Sequence, residues 1–193
     1  PTSIYAVTKR DHEEMFLSAG VAYGIPAVAL RYFNIYGTRQ ALSNPYTGVM
    51  AIFSARLLNR NQPMIFEDGL QTRDFVHVSD VVRANLLAME AELTDGRVYN
   101  VGTGRPTTIL QIAELLAEQL GFDEPPDVVG RFRAGDIRHC YGDIGQIRDE
   151  LGYQPEVDLA DGVAELLAWL RSQTAVDRID RAARELEERG LAR

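Results

Sequence analysis

Apolar residues recur along this chain at two spacings, and the switching between them predicts helices alternating with short strands. Ile109, Ile112, Ala113, Leu116 and Leu120 repeat at helical spacing, as do Leu159, Val163, Leu166, Leu167 and Leu170, so each set marks one core-facing helix stripe. The runs at 27–32, 64–66, 74–77, 98–101 and 128–129 are too short for helices and read as strands. The run at 27–32 has the character of a strand covered on both faces, the second half of a helix-then-strand unit in a parallel sheet. Turn and cap residues set the boundaries. Thr2 or Ser3 caps a helix that ends at Gly24, with Pro26 just beyond. The segment 34–46, rich in Gly, Asn, Pro and Ser, reads as a loop, followed by a helix over 47–58. After the Asp68-Gly69 turn, Ser79 or Asp80 caps a helix to Glu90, Thr107 or Thr108 caps the one after it, and Asp143 caps a short one to Leu151. The order of elements predicts an α/β fold without internal repeats.

Composition narrows the class of partner. The 193 residues are 46% hydrophobic and 25% charged, sufficient for one buried core. A net charge of -8 excludes a broad basic footprint, so neither nucleic acid nor an anionic membrane is expected as partner, and any bound phosphate falls to a few placed arginines. Cys140 is the single cysteine and has no internal disulfide partner. No stretch reaches the roughly 18 apolar residues that span a bilayer, and a cytoplasmic location is expected. His139 and Cys140 are adjacent without further ligands at zinc spacing, so no metal is assigned. His12 falls on the exterior of the first helix, and His77 reads as a packed structural residue.

Basic positions are filled almost entirely by arginine: of 20 Lys and Arg residues, Lys9 is the one lysine. An ammonium is a compact point charge, which suits packing beneath a ring or ribose better than a planar guanidinium does. Lys9 follows Tyr5 by four residues, which on a helix places both side chains on one face, one turn apart. A free phenol, with its reference pKa of about 10, is a poor base at neutral pH, and a nearby cation favours the phenolate. The pair is therefore a candidate for general acid–base work. The competing reading is a core tyrosine and a solvated lysine that happen to be four apart.

The surrounding strings carry more information. Ser3-Ile4-Tyr5-Ala6-Val7-Thr8-Lys9, Leu30-Arg31-Tyr32-Phe33-Asn34-Ile35-Tyr36-Gly37, Arg73-Asp74-Phe75-Val76-His77-Val78-Ser79-Asp80, Tyr99-Asn100-Val101-Gly102 and Arg133-Ala134-Gly135-Asp136-Ile137-Arg138 follow in order. Together they resemble the extended short-chain dehydrogenase/reductase family, and within it the NAD-dependent nucleotide-sugar epimerases and dehydratases. The resemblance covers about 1–171. It implies that Tyr5 is the catalytic tyrosine and Lys9 the lysine on the nicotinamide ribose, with Tyr32 and Phe33 beside the nicotinamide. It further implies that Asn34 touches the substrate, that Arg73 and Arg138 lie on or beside the diphosphate, with Arg73 the firmer of the two, and that Gly48, Val49 and Phe66 lie along the nucleotide. Cys140 falls near the sugar in some members. Independently of family, a guanidinium fork suits phosphate because it donates two parallel hydrogen bonds. Arg73 and Asp74 also fit an ordinary salt-bridged strand edge, and Asn34 a residue that merely tolerates an unusual backbone.

The same resemblance implies the C-terminal part of a doubly wound Rossmann-type domain plus a small α/β substrate-binding domain. On that basis 1–46 belongs to the dinucleotide-binding domain, 47–171 to the nucleotide-sugar region, with 67–101 partly returning to the Rossmann domain, and 172–193 is a helical tail. The family's glycine-rich fingerprint, which brings a helix N-terminus to the pyrophosphate, is absent. Gly102-Thr103-Gly104 is no substitute, because Arg105 and Pro106 follow it and no third glycine takes the fingerprint position. The family's catalytic Ser or Thr is also missing. The expectation is that roughly a hundred or more residues precede Pro1, and that the chain alone neither holds NAD tightly nor turns over substrate. The expected function of the full protein is 4-epimerisation of a nucleotide-diphosphate sugar through a 4-keto intermediate, in a homodimer. The alternatives are a 4,6-dehydratase, a related reductase or decarboxylase, an inert sugar-nucleotide binding module, and an unrelated α/β interaction protein.

Overall fold

Ser3 starts the first helix by accepting the Ala6 N–H at 3.1 Å on its hydroxyl, and Gly24, in the left-handed region, ends it. This helix, α1 (Ile4–Tyr23), belongs to a computed structural model that describes residues 1, 3–40, 48–92, 95–131 and 136–173. The Thr2 cap, 41–46 of the expected loop, the start of the second helix at 47, residues 133–135 and the tail from 174 onward lie outside the described residues.

The chain then runs through β1 (Ala29–Tyr32), β2 (Asn34–Tyr36), α2 (Val49–Leu58), β3 (Met64–Ile65), β4 (Thr72–Arg73), β5 (Phe75–His77), α3 (Val78–Glu90) and β6 (Val98–Val101). It continues with β7 (Thr107–Thr108), α4 (Ile109–Leu120), β8 (Asp127–Val128), β9 (His139–Cys140), α5 (Gly145–Leu151) and α6 (Leu159–Leu170). The strand order makes the α/β class concrete. β1 pairs with β6 and β2 with β5, both in parallel. β1 and β2 are separated only by Phe33, so one extended segment changes partner there: Phe33 N–H donates to Val101 and Asn34 N–H to the Asp74 carbonyl. A second small sheet sets β4 between β7, antiparallel, and β9, parallel, with Arg73 opposite Cys140.

Two cores flank β5, whose alternate side chains point to opposite sides. Phe75 joins the cluster of α2, α4 and α6, where Met50, Phe53, Ile112, Leu116, Leu166 and Leu170 are buried. Val76 joins Val81, Tyr99, Val101, Ile147 and Tyr153 on the side of α3, α5 and β6. Thr108 closes a reciprocal capping box with Gln111 at the start of α4, one of the two threonines expected to do so.

Three expectations need correction. Residues 34–36 form strand β2 rather than loop, because β5 supplies a partner some forty residues on, which local composition does not reveal. The cap of α3 is His77, whose Nδ1 faces the Ser79 N–H at 3.4 Å; Ser79 and Asp80 lie inside the helix. The strand at 27–32 is not covered on both faces: Arg31 interrupts the apolar run, both it and Tyr32 are exposed, and Arg31 is held by Glu13 of α1 through two hydrogen bonds of 2.6 and 2.7 Å. Near α5, Asp143 does take an N–H, that of Gly145 at 2.8 Å, although the helix begins two residues later with Ile144 in the cap position.

Buried tyrosines give the fold an alkaline limit. Burial, reinforced by a 2.6 Å hydrogen bond to Glu150, pushes the Tyr99 phenol up to about 12, and burial likewise raises Tyr36 and Tyr153. An unfolded phenol releases its proton near pH 10, whereas the folded one keeps it. Between those values the unfolded state binds fewer protons, so stability is full below about pH 10 and declines as pH rises through the folded pKa. Urea unfolding at stepwise higher pH should show this decline, and Tyr99→Phe should flatten the portion between about pH 10 and 12.

Candidate functional site

Tyr5 and Lys9 are both exposed on α1, with the Lys9 ammonium 5.4 Å from the centre of the Tyr5 ring. The i, i+4 spacing thus brings them to one face, as a helix requires. The helix buries none of its own residues, so this face opens to solvent and Tyr5 is 70% exposed.

Tyr32 ends β1 and donates its hydroxyl to Asn85 of α3 at 2.9 Å. Phe33 is half-buried at the change of partner, wedged against two glycines. A Cβ on Gly142 would meet its ring at 2.8 Å and one on Gly102 at 3.2 Å, so neither position admits a side chain without displacing Phe33. Asn34 begins β2 beside it. Gly48 and Val49 open α2, Gly48 exposed and Val49 packed against the larger core, while Phe66 follows β3 and accepts Gln71 Nε2 on its carbonyl.

The second sheet gathers Arg73, Arg138 and Cys140. Arg73, its side chain 15% exposed, donates to Asp136 at 2.8 Å and to the Thr72 carbonyl at 2.8 Å. Arg138 reaches both oxygens of Asp68 and one of Glu67 at 2.7–2.8 Å. Its guanidinium holds the Asp68 carboxyl well below the usual carboxylate range, and the two carboxylates raise Arg138 in return. Glu67 adopts a left-handed backbone (φ 56°), uncommon for a non-glycine residue, which sets it at this corner. Both candidate phosphate ligands are therefore already paired with carboxylates. A diphosphate gains them only by exchanging with Asp136, or with Glu67 and Asp68.

Arg73 and Asp74 do not form the local salt-bridged edge that their adjacency suggests. Asp74 is fully buried and accepts four hydrogen bonds: from the Thr103 N–H and hydroxyl, the Gly104 N–H and the Gly142 N–H, at 2.6–3.1 Å. Sequence reasoning missed this residue. The signal lay in the Gly102-Thr103-Gly104 loop, whose N–H groups resemble an anion cradle but already serve an internal carboxylate. The loop therefore has no place for a cofactor pyrophosphate. The Tyr5–Lys9 face suits the other end of a dinucleotide, since a ribose needs only a donor and an open approach. His77 is buried as expected, 5.3 Å from Tyr36 in an edge-on contact, and His12 is exposed. Among the described residues no group of three or more metal-ligating side chains occurs, and no helix is long and apolar enough to cross a membrane.

Comparison with known proteins bears on this geometry. The model of the "NAD dependent epimerase/dehydratase family" matches residues 1–102. The dTDP-L-rhamnose 4-epimerase of Burkholderia thailandensis is 36% identical over 90% of this chain, which covers 47% of that protein. The dTDP-glucose 4,6-dehydratase of an Actinoplanes species is 35% identical over 89% of the chain and 52% of its own length. Among solved structures, the UDP-glucose 4-epimerase of Thermotoga maritima with UDP-glucose is 40% identical, with a TM-score of 0.81 over 87% of this chain and 53% of that one. The chain thus spans about half the length of the curated relatives it matches. With Tyr5 and Lys9 on one face and a family model covering more than half its length, the chain belongs to the NAD-dependent epimerase/dehydratase family.

Proposed function

We propose that the full protein is an NAD-dependent nucleotide-diphosphate-sugar 4-epimerase, with this chain supplying the acid–base pair and the substrate side of the site. The observation that carries this reading is the Lys9 ammonium 5.4 Å from the Tyr5 ring on an open helix face. NAD, held at the Tyr5–Lys9 face, would supply a reversible hydride acceptor for the sugar C4. Tyr5, as phenolate, accepts the C4 hydroxyl proton and later gives it back. Lys9 stabilises that phenolate and holds the nicotinamide ribose, while Tyr32 and Phe33 border the ring. Asn34 contacts the substrate, Gly48, Val49 and Phe66 line the nucleotide, and Cys140 lies toward the sugar. Arg73 takes the diphosphate in exchange for Asp136; its low exposure supports giving it the larger share, because a desolvated guanidinium interacts more strongly with phosphate. Arg138, exposed and already doubly bound to Asp68, contributes less.

Turning over the 4-keto sugar before hydride return inverts C4 with no net redox change. We assign 1–46 to the cofactor domain and 47–171 to the nucleotide-sugar region; the partial return of 67–101 to the former is supported by the pairing of β1 with β6 and of β2 with β5. The 4,6-dehydratase reading draws support from the Actinoplanes relative. Incubating the full-length protein with UDP- and dTDP-hexoses and following products by NMR separates the two. C4 inversion supports the epimerase, and a 4-keto-6-deoxy product the dehydratase. For the 193-residue chain alone, whose Thr103 and Gly104 N–H groups are engaged by Asp74, calorimetric titration should find NAD bound weaker than micromolar. Submicromolar binding would contradict this division of the site.

A further inference from the structure

Asp74 sits where the two sheets meet. Its carbonyl accepts the Asn34 N–H at 2.9 Å, next to Phe33 on the cofactor side. The residue before it, Arg73, lies in β4 against β9 on the substrate side. Its carboxylate closes the junction: Oδ1 binds the Thr103 N–H at 2.8 Å and hydroxyl at 2.6 Å, and Oδ2 binds Gly104 N–H at 2.9 Å and Gly142 N–H at 3.1 Å. Gly142 follows β9 by two residues, and Gly102 and Gly142 press on Phe33 from two directions. A Cβ on Gly102 would also collide with the Asp74 carboxylate. Four hydrogen bonds satisfy the acceptor sites of this buried carboxylate and tie the loop after β6 and the exit of β9 to the residue that follows Arg73, with Phe33 packed between the two at Gly102 and Gly142.

We infer that Asp74 is a positioning residue whose carboxylate, by holding the loop after β6 and Gly142 around Phe33, fixes the distance between the diphosphate anchor at Arg73 and the cofactor-side Phe33. This rests on the proposed function, since only a substrate held at both ends is sensitive to that distance. Mutual displacement of the two sides by about 1 Å leaves each binding element intact but misaligns the reacting carbon, at a cost on the order of 10²-fold in rate. A purely structural aspartate would lower stability and leave the kinetics of the folded enzyme unchanged.

The test uses the full-length protein with NAD and whichever sugar nucleotide the wild type converts. Asp74→Asn places an amide against N–H donors and tests the residue directly. Thr103→Val removes the hydroxyl donor on Oδ1, together with the acceptor of the exposed Arg105 N–H, and covers the event that Asp74→Asn does not fold. Thr103→Ser restores that donor. At a temperature well below melting, Asp74→Asn or Thr103→Val is expected to lower kcat at least 10-fold while the Kd for UDP or dTDP, measured by calorimetry, changes less than 3-fold, and Thr103→Ser is expected to recover wild-type kcat. An unchanged kcat with a lower melting temperature overturns the inference, as does a parallel loss of kcat and nucleoside-diphosphate affinity. A wild type that converts no sugar nucleotide defeats the proposed function instead, a result read before any variant is made.

Discussion

Tyr5→Phe in the full-length protein is expected to reduce kcat by about 10²–10⁴-fold, the range contributed by a positioned acid–base group. The substitution removes one oxygen from a side chain that is exposed in the 193-residue chain, so the stability of that chain should stay within about 0.5 kcal/mol. Nucleoside-diphosphate binding should also persist, because the arginines proposed to take it lie at the second sheet, away from Tyr5. Residual turnover above about a tenth of wild type would remove Tyr5 from the proton path. The comparison needs kcat rather than kcat/KM alone, since an interaction made only in the transition state lowers both together.

The largest effect on stability is expected at Asp80. This aspartate is fully buried in the first turn of α3, where it binds Arg83 at 2.8 Å and accepts the N–H groups of Glu156 at 3.0 Å and Val157 at 3.3 Å. It fastens the segment between α5 and α6 to α3, and the carboxylate also sits favourably at the positive end of the helix. Asp80→Ala removes the acceptor of two backbone N–H groups, one on the exposed Glu156 and one on the half-buried Val157, so each costs about 1 kcal/mol, the low end for a lost partner. Arg83 is less affected, because it keeps Glu156 and the Gln154 carbonyl and is 28% exposed. The expected loss is about 2–4 kcal/mol, below the 3–5 typical of a fully buried broken pair. That corresponds to a fall in melting temperature of roughly 5–15 °C. A loss under about 1 kcal/mol in urea unfolding would mean the 154–157 segment is held by other contacts.

These effects differ in how far the sequence reveals them. α4 and α6 are legible because five apolar residues in each repeat at helical spacing, and α1 because Ser3 and Gly24 bracket it with standard capping chemistry. Tyr5 and Lys9 are legible for the same reason: helical geometry alone puts residues four apart on one face. β2 is not, since its three residues lie in turn-rich composition and are strand only by pairing with β5. β9 escapes in the same way, being two residues, His139 and Cys140, that are strand only by pairing with β4. Asp74 illustrates the limit most clearly. Beside Arg73 it reads as half of an ion pair, yet its partners are 29, 30 and 68 residues further along. Spacing conveys contacts within an element; contacts that fold brings together from distant segments leave no periodic trace. The carboxylate partners of Arg73 and Arg138 were hidden likewise, Asp68 and Glu67 lying about seventy residues from Arg138.

The account turns on Lys9 acting through Tyr5, and a double-mutant cycle measures that dependence directly. kcat is determined at saturating NAD and substrate for the full-length wild type, Tyr5→Phe, Lys9→Met and the pair together. If the ammonium works by supporting the phenolate, the double variant should be no slower than Tyr5→Phe within a factor of a few, because saturating NAD offsets the ribose contact and no phenolate is left to assist. Losses that multiply, leaving the double variant slower than either single one by the full product, would show two independent contributions and contradict the pairing.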